Sequence, residues 1–205
     1  RAGDYSFNNL GITGTMLTSS MVPKEERDRR GWYAVGGCGG SPAWHSEYDT
    51  LEVADRKVLE NDTKLYALMV ARLADDEQVP LVYTAAITEI CQHITAINED
   101  LRLRLNADEL VKELREIATK LTFISTAAVP RNLVLKRLSR AIVRLNYVLG
   151  PAHHQDPARS LTPVPLLTDN VPKGGSDGDI ETHRRVTAAR ILLVQMWTAL
   201  ESVDP

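Results

Sequence analysis

Cys38, His45 and Asp49 stand in the order of a thiol, a base and a carboxylate, the three groups a cysteine nucleophile requires. All three fall on one short irregular segment, whereas catalytic partners come from separate rigid elements. A reactive thiol also needs an electropositive setting, and Cys38 is set among Gly36, Gly37, Gly39 and Gly40. The order is therefore read as coincidence. The same glycines invite a phosphate-cradle reading. A phosphate loop, however, ends in Lys-Ser or Lys-Thr opening a helix, where backbone donors and the dipole converge. Here Ser41-Pro42-Ala43-Trp44 follows, and the stretch reads as a flexible turn.

His153-His154 with Asp156 could offer metal ligands, but adjacent histidines point apart in most backbones and no fourth ligand is evident. The helical part has no paired Glu-x-x-His motif, so a buried di-iron site is not supported. His93 and Cys91 lie beside the apolar spacing of their helix and read as packing residues. Asn61-Asp62-Thr63 is a glycosylation sequon placed inside a predicted helix, where the acceptor loop is lacking. No catalytic residue, metal ligand or cofactor is assigned, and the chain reads as a non-enzyme.

The most informative polar feature is basic. Arg131, Lys136, Arg137, Arg140 and Arg144 occur with no acidic residue between Glu116 and Asp156. Arg137, Arg140 and Arg144 have helical spacing and share one face. Arg102 and Arg104 close an earlier helix, and His183-Arg184-Arg185 open the last. Like charges in a row cost free energy unless something neutralises them. Three neutralisers stay open: acidic residues of the same chain (Glu52, Glu60, Glu109, Glu113 or Glu116), an acidic patch on a partner protein, or nucleic-acid phosphate. No aromatic-studded basic groove supports single-strand stacking.

Five helices would position these groups. The first runs over 50–74, with Asp49 and Glu52 at capping-box spacing and Leu51, Val58 and Leu65 recurring every seven residues. The second runs over 81–104, where Tyr83, Ile87, Ile90, Ile94, Ile97 and Leu101 follow a four-three spacing. The third covers 107–125 behind an Asn106–Glu109 capping box, with Leu110, Leu114, Ile117, Leu121 and Ile124 in its seam. The fourth covers 130–149, with Pro130 at its first position and Gly150-Pro151 as its stop. A Pro-rich loop over 150–178 leads to the fifth, over 179–202. Its seam is Val186, Ala189, Leu193, Met196 and Leu200, while Ile191, Leu192 and Val194 occupy other faces. That helix is either the most buried or contacts a partner through its second face.

The first 48 residues show neither period. Trp32, Tyr33 and Trp44 spaced along glycines suggest an extended arm lying on a surface, either of its own helices or of a neighbour. The whole chain has 205 residues, 43% hydrophobic and 25% charged, with a net charge of −3. That excludes wholesale disorder and a uniformly basic nucleic-acid binder. Two cysteines exclude a disulfide framework, though one bridge stays possible. No apolar run reaches the roughly 20 residues of a membrane span. No signal peptide is visible and the chain begins with Arg1, so the compartment stays open.

Asp100-Leu101-Arg102-Leu103-Arg104 resembles a segment of PsbQ-type extrinsic subunits of photosystem II. Those are helical bundles with a proline-bearing arm. The resemblance covers five residues, and the first helix and the loop after Gly150 depart from it. No functional residue is carried over.

The expected fold is all-α: a four- to five-helix bundle with a Gly-rich N-terminal arm and a long Pro-rich loop before the last helix. The expected function is a structural or interaction subunit of a larger assembly, meeting protein partners or copies of itself through the arm and exposed helix faces. Alternatives are a nucleic-acid-packaging coat or nucleoprotein using the fourth helix, or a PsbQ-like extrinsic subunit.

Overall fold

The computed structural model describes residues 3–14, 22–32, 42–124 and 131–202. Among the described residues every regular element is helical. The helices are α1 Lys24–Arg30, α2 Arg56–Asp75, α3 Tyr83–Thr95, α4 Glu99–Arg104, α5 Ala107–Ile124, α6 Arg131–Tyr147, α7 Pro165–Thr168 and α8 Ser176–Glu201. The chain divides into two compact units, Arg1–Gly14 with Leu81–Pro205, and Thr15–Pro80.

In the larger unit α3 packs on α5 and α6, and α8 packs on the same two helices. Ile87, Ile90 and Ile94 of α3 are buried, as are Leu110, Leu114 and Ile117 of α5. They meet Leu138, Ala141 and Leu145 of α6 and Ala189, Leu193 and Met196 of α8, all equally buried. Each large side chain removed from water contributes about 1.5–3 kcal/mol, which holds the four helices together.

The helix expected over 81–104 is two helices. Its apolar spacing runs across Ala96–Asn98, yet α3 ends at Thr95 and Asn98 restarts the chain as α4. The Asn98 side chain accepts from the Leu101 amide at 3.0 Å, which satisfies a helix-end donor that a continuous helix would not expose. The Asn106–Glu109 pair forms differently from a capping box. Asn106 is left-handed (φ 49°), and its side-chain amide donates to the Glu109 carboxylate instead of accepting from a helix amide.

The crossover between α6 and α8 is held by two buried aspartates. Asp156 accepts from the Leu149 and Gly150 amides at 3.0 and 2.8 Å and from Asn9 Nδ2 at 3.3 Å. Asp169 accepts from both terminal nitrogens of Arg159. Between them Val164 is fully buried at φ 51°, a conformation a β-branched residue adopts only when its surroundings impose it. Its amide donates to the Asn146 carbonyl at 3.3 Å, just before α7.

The surface beneath the first residues is α6 of the same chain. The 3-10 turn Gly3–Leu10 packs against it, and Asn8 and Asn9 are buried. Gly11 is left-handed (φ 74°), and a Cβ there would lie 2.5 Å from the Arg140 backbone. Only glycine permits that approach.

In the smaller unit, one described stretch of the expected irregular arm is helical: α1, Lys24–Arg30. There Glu26 pairs with Arg29 and Arg30, and Lys24 pairs with Asp28 at 2.5 Å, ion pairs one turn apart that support a short helix. The cap of α2 is Asp55, which accepts from Lys57 and Val58 amides at 2.8 and 3.0 Å. Asp49, expected as the cap, precedes a separate 3-10 turn, Leu51–Val53. No residue of α2 is buried. No described helix is long and apolar enough to cross a membrane.

Candidate partner-binding surface

Helix α8 carries apolar side chains on two opposite faces. Ala189, Leu193, Met196 and Leu200 turn into the core. Ile180, Ile191 and Val194 stand on the far side and are 60%, 53% and 62% exposed. Thr187 and Thr198 complete that outer row, in which successive members are seven, four, three and four residues apart. This is the spacing of a face that meets another helix. Of the three residues noted off the inner seam, Leu192 is buried and Ile191 and Val194 are exposed. The helix is therefore not enclosed on all sides.

The basic residues separate into pairs that are satisfied internally and groups that are not. Arg102 binds Asp108 at 2.9 and 2.5 Å, tying α4 to α5. Arg104 donates twice to the Pro172 carbonyl at 2.9 Å and lies 3.4 Å from Asp100. Both are paired within the chain. Arg131 opens α6 half-buried and has a partner of its own. Lys136, Arg137 and Arg140 are exposed on α6, and no described residue forms an ion pair with them. Three of the five carboxylates that could have neutralised them form ion pairs elsewhere. Glu109 and Glu113 bind Arg190 at 2.8 and 3.3 Å, and Glu60 binds Lys64 at 3.0 Å.

Arg144, Arg184 and Arg185 are brought together, with Glu181, around one cavity of about 510 Å³. Arg185 is held by Glu181 at 2.9 Å and by the Asp169 carbonyl at 2.7 Å. Arg184 lies 3.7 Å from Glu181. Arg144 pairs with no described residue, and its Nε is buried without a hydrogen-bond partner. Nothing in the sequence marks this meeting, because Arg144 is 40 positions from Arg184 and the crossover lies between.

No family model, curated protein or solved structure matches this chain.

The aromatic residues expected on the arm make local contacts. The Arg30 guanidinium lies 4.7 Å over the Trp32 ring, and Trp44 stacks on His45 at 3.7 Å. Tyr33, Cys38, its flanking glycines and Pro130 lie outside the described residues. Cys91 is a buried free thiol, and burial raises its pKa, the reverse of what nucleophilic chemistry needs. Asp156 is committed to backbone amides, and no cluster of metal-binding side chains occurs among the described residues.

Sequence reasoning missed Asp169 and Arg159, and it weighed Asp156 only as a metal ligand and not as the anchor of the crossover. Their signal was weak: isolated charges in a proline-rich loop, whose partners are fixed only when the loop closes.

Proposed function

We propose that this chain is an interaction subunit of a larger assembly without enzymatic activity of its own. It would be built on a four- to five-helix bundle with heptad-spaced seams. The outer face of α8 docks against a helix of a partner protein or of a second copy. One observation carries this reading: the outer row Ile180, Ile191 and Val194 is exposed at heptad spacing on a helix whose opposite face is fully packed. A packed surface helix usually turns polar residues outward, and contiguous exposed apolar rows mark interaction sites. Helix α2 supports it. Leu59, Tyr66, Val70 and Leu73 share one face there and are 61%, 40%, 60% and 49% exposed.

The test replaces Ile191 and Val194 with Ser in the full chain. Light scattering and cross-linking in the native extract, with a photoreactive group at Thr187, then read the association. The proposal expects adducts with the parent chain and their loss in the double variant, with unchanged helical circular dichroism. Adducts of equal yield in the variant would overturn it.

A second reading, nucleic-acid packaging through α6, is favoured by the unneutralised Lys136, Arg137 and Arg140. It expects salt-sensitive binding that disappears in Arg137→Glu/Arg140→Glu. Binding unchanged by that reversal would reject it.

A further inference from the structure

The cavity shared by Arg144, Arg184 and Arg185 lies along one flank of α8, where Arg184 borders the outer apolar row, and its chemistry points to a small molecule. Three guanidiniums line it against one carboxylate, Glu181, an excess of two positive charges. Arg185 is fixed in place by Glu181 and by the carbonyls of Asp169 and Leu166. It is therefore oriented before any ligand arrives, which lowers the ordering cost of binding. Arg184 is different: its side chain is 77% exposed and only loosely paired, so it can swing onto a ligand. Arg144 is the decisive group. A half-buried guanidinium with a buried, unpartnered Nε is costly unless an anion completes it. The remaining walls are apolar: Val148, Leu166, Ala188 and Leu192. The volume of about 510 Å³ falls within the roughly 300–1,000 Å³ usual for ligand sites.

We propose that this cavity binds a phosphate monoester carrying a small apolar group, with Arg144, Arg184 and Arg185 on the phosphate and the apolar walls on its substituent. A dianionic phosphate matches the excess charge, whereas a carboxylate leaves one positive charge unanswered. Guanidinium forks also fit phosphate oxygens bidentately. The second ionisation of a phosphate monoester lies near about pH 6, so binding weakens as the pH falls below that value. This inference does not depend on what α8 docks against.

The full chain is titrated by calorimetry with hexyl phosphate, inorganic phosphate and hexanoate at about pH 7.5. Hexyl phosphate is expected to bind tightest, because only it uses both the guanidiniums and the apolar walls. Arg144→Met should weaken it on the order of tenfold or more, and Arg184→Gln, on an exposed side chain that the fold does not need, should weaken it as well. Ile191→Ser should leave it unchanged. Absence of saturable binding at millimolar hexyl phosphate would overturn the proposal. So would equal affinity for hexanoate, or undiminished binding in Arg184→Gln. That last comparison decides the matter even if Arg144→Met does not fold.

Discussion

Arg159 grips Asp169 with both terminal nitrogens, Nη1 to Oδ1 at 3.0 Å and Nη2 to Oδ2 at 2.6 Å. The carboxylate is buried while the guanidinium reaches the surface, and the Thr162 amide donates to the same carboxylate at 3.4 Å. The Arg159 hydrogen bonds, then the Thr162 amide and the charges of Arg159 and Arg185, lower the Asp169 pKa from its ordinary 3.8. A lowered folded-state pKa contributes stability above the unfolded value, lost as pH falls through the folded one. Asp169→Asn should cost about 1–3 kcal/mol near neutral pH. Urea midpoints of the two proteins should converge as the pH drops below about 4. A constant gap down to that range would show that the charge is not what matters.

Gly11→Ala is expected to lift the N-terminal segment off α6. The added Cβ has no room against the Arg140 backbone, and the left-handed backbone is itself unfavourable for alanine. The expected loss is about 1–3 kcal/mol. Hydrogen exchange should speed up at the Leu149 and Gly150 amides, whose acceptor Asp156 is also bound by Asn9. Unchanged protection there would mean that residues 3–14 do not support the crossover.

Asn98→Ala removes the cap of α4. A loss of about 1 kcal/mol is expected in thermal or urea unfolding, and Asn98→Gly should recover most of it. A silent alanine variant would indicate that α3 and α4 can run on as one helix.

Leu114→Ala opens a cavity at a fully buried position of α5. Chemical denaturation should show a loss of about 2–5 kcal/mol with little change in the denaturant slope. A smaller loss would mean that α3, α6 and α8 close around the vacated space.

The helical character of this protein is legible locally, because apolar residues three and four apart face the same way only on a helix. Ile87, Ile90 and Ile94, or Leu110, Leu114 and Ile117, announce both helix and buried face within a dozen residues. The break at Asn98 was legible too, as an Asn ahead of Glu99 and Asp100, but the apolar spacing running through it masked the signal. The second apolar row of α8 could be read from Ile191 and Val194; its exposure could not.

What the tertiary structure decided are the pairings that close over long stretches of chain. Arg190 could have met any of several carboxylates, and only the packing of α8 against α5 selects Glu109 and Glu113. The same packing left Lys136, Arg137 and Arg140 without ion-pair partners among the described residues and gathered Arg144, Arg184 and Arg185 around one cavity. Helix formation depends on neighbours a turn apart, so sequence spacing suffices for it. Charge pairing depends on which faces the folded chain brings together, and residues 40 to 80 positions apart carry no local mark of that.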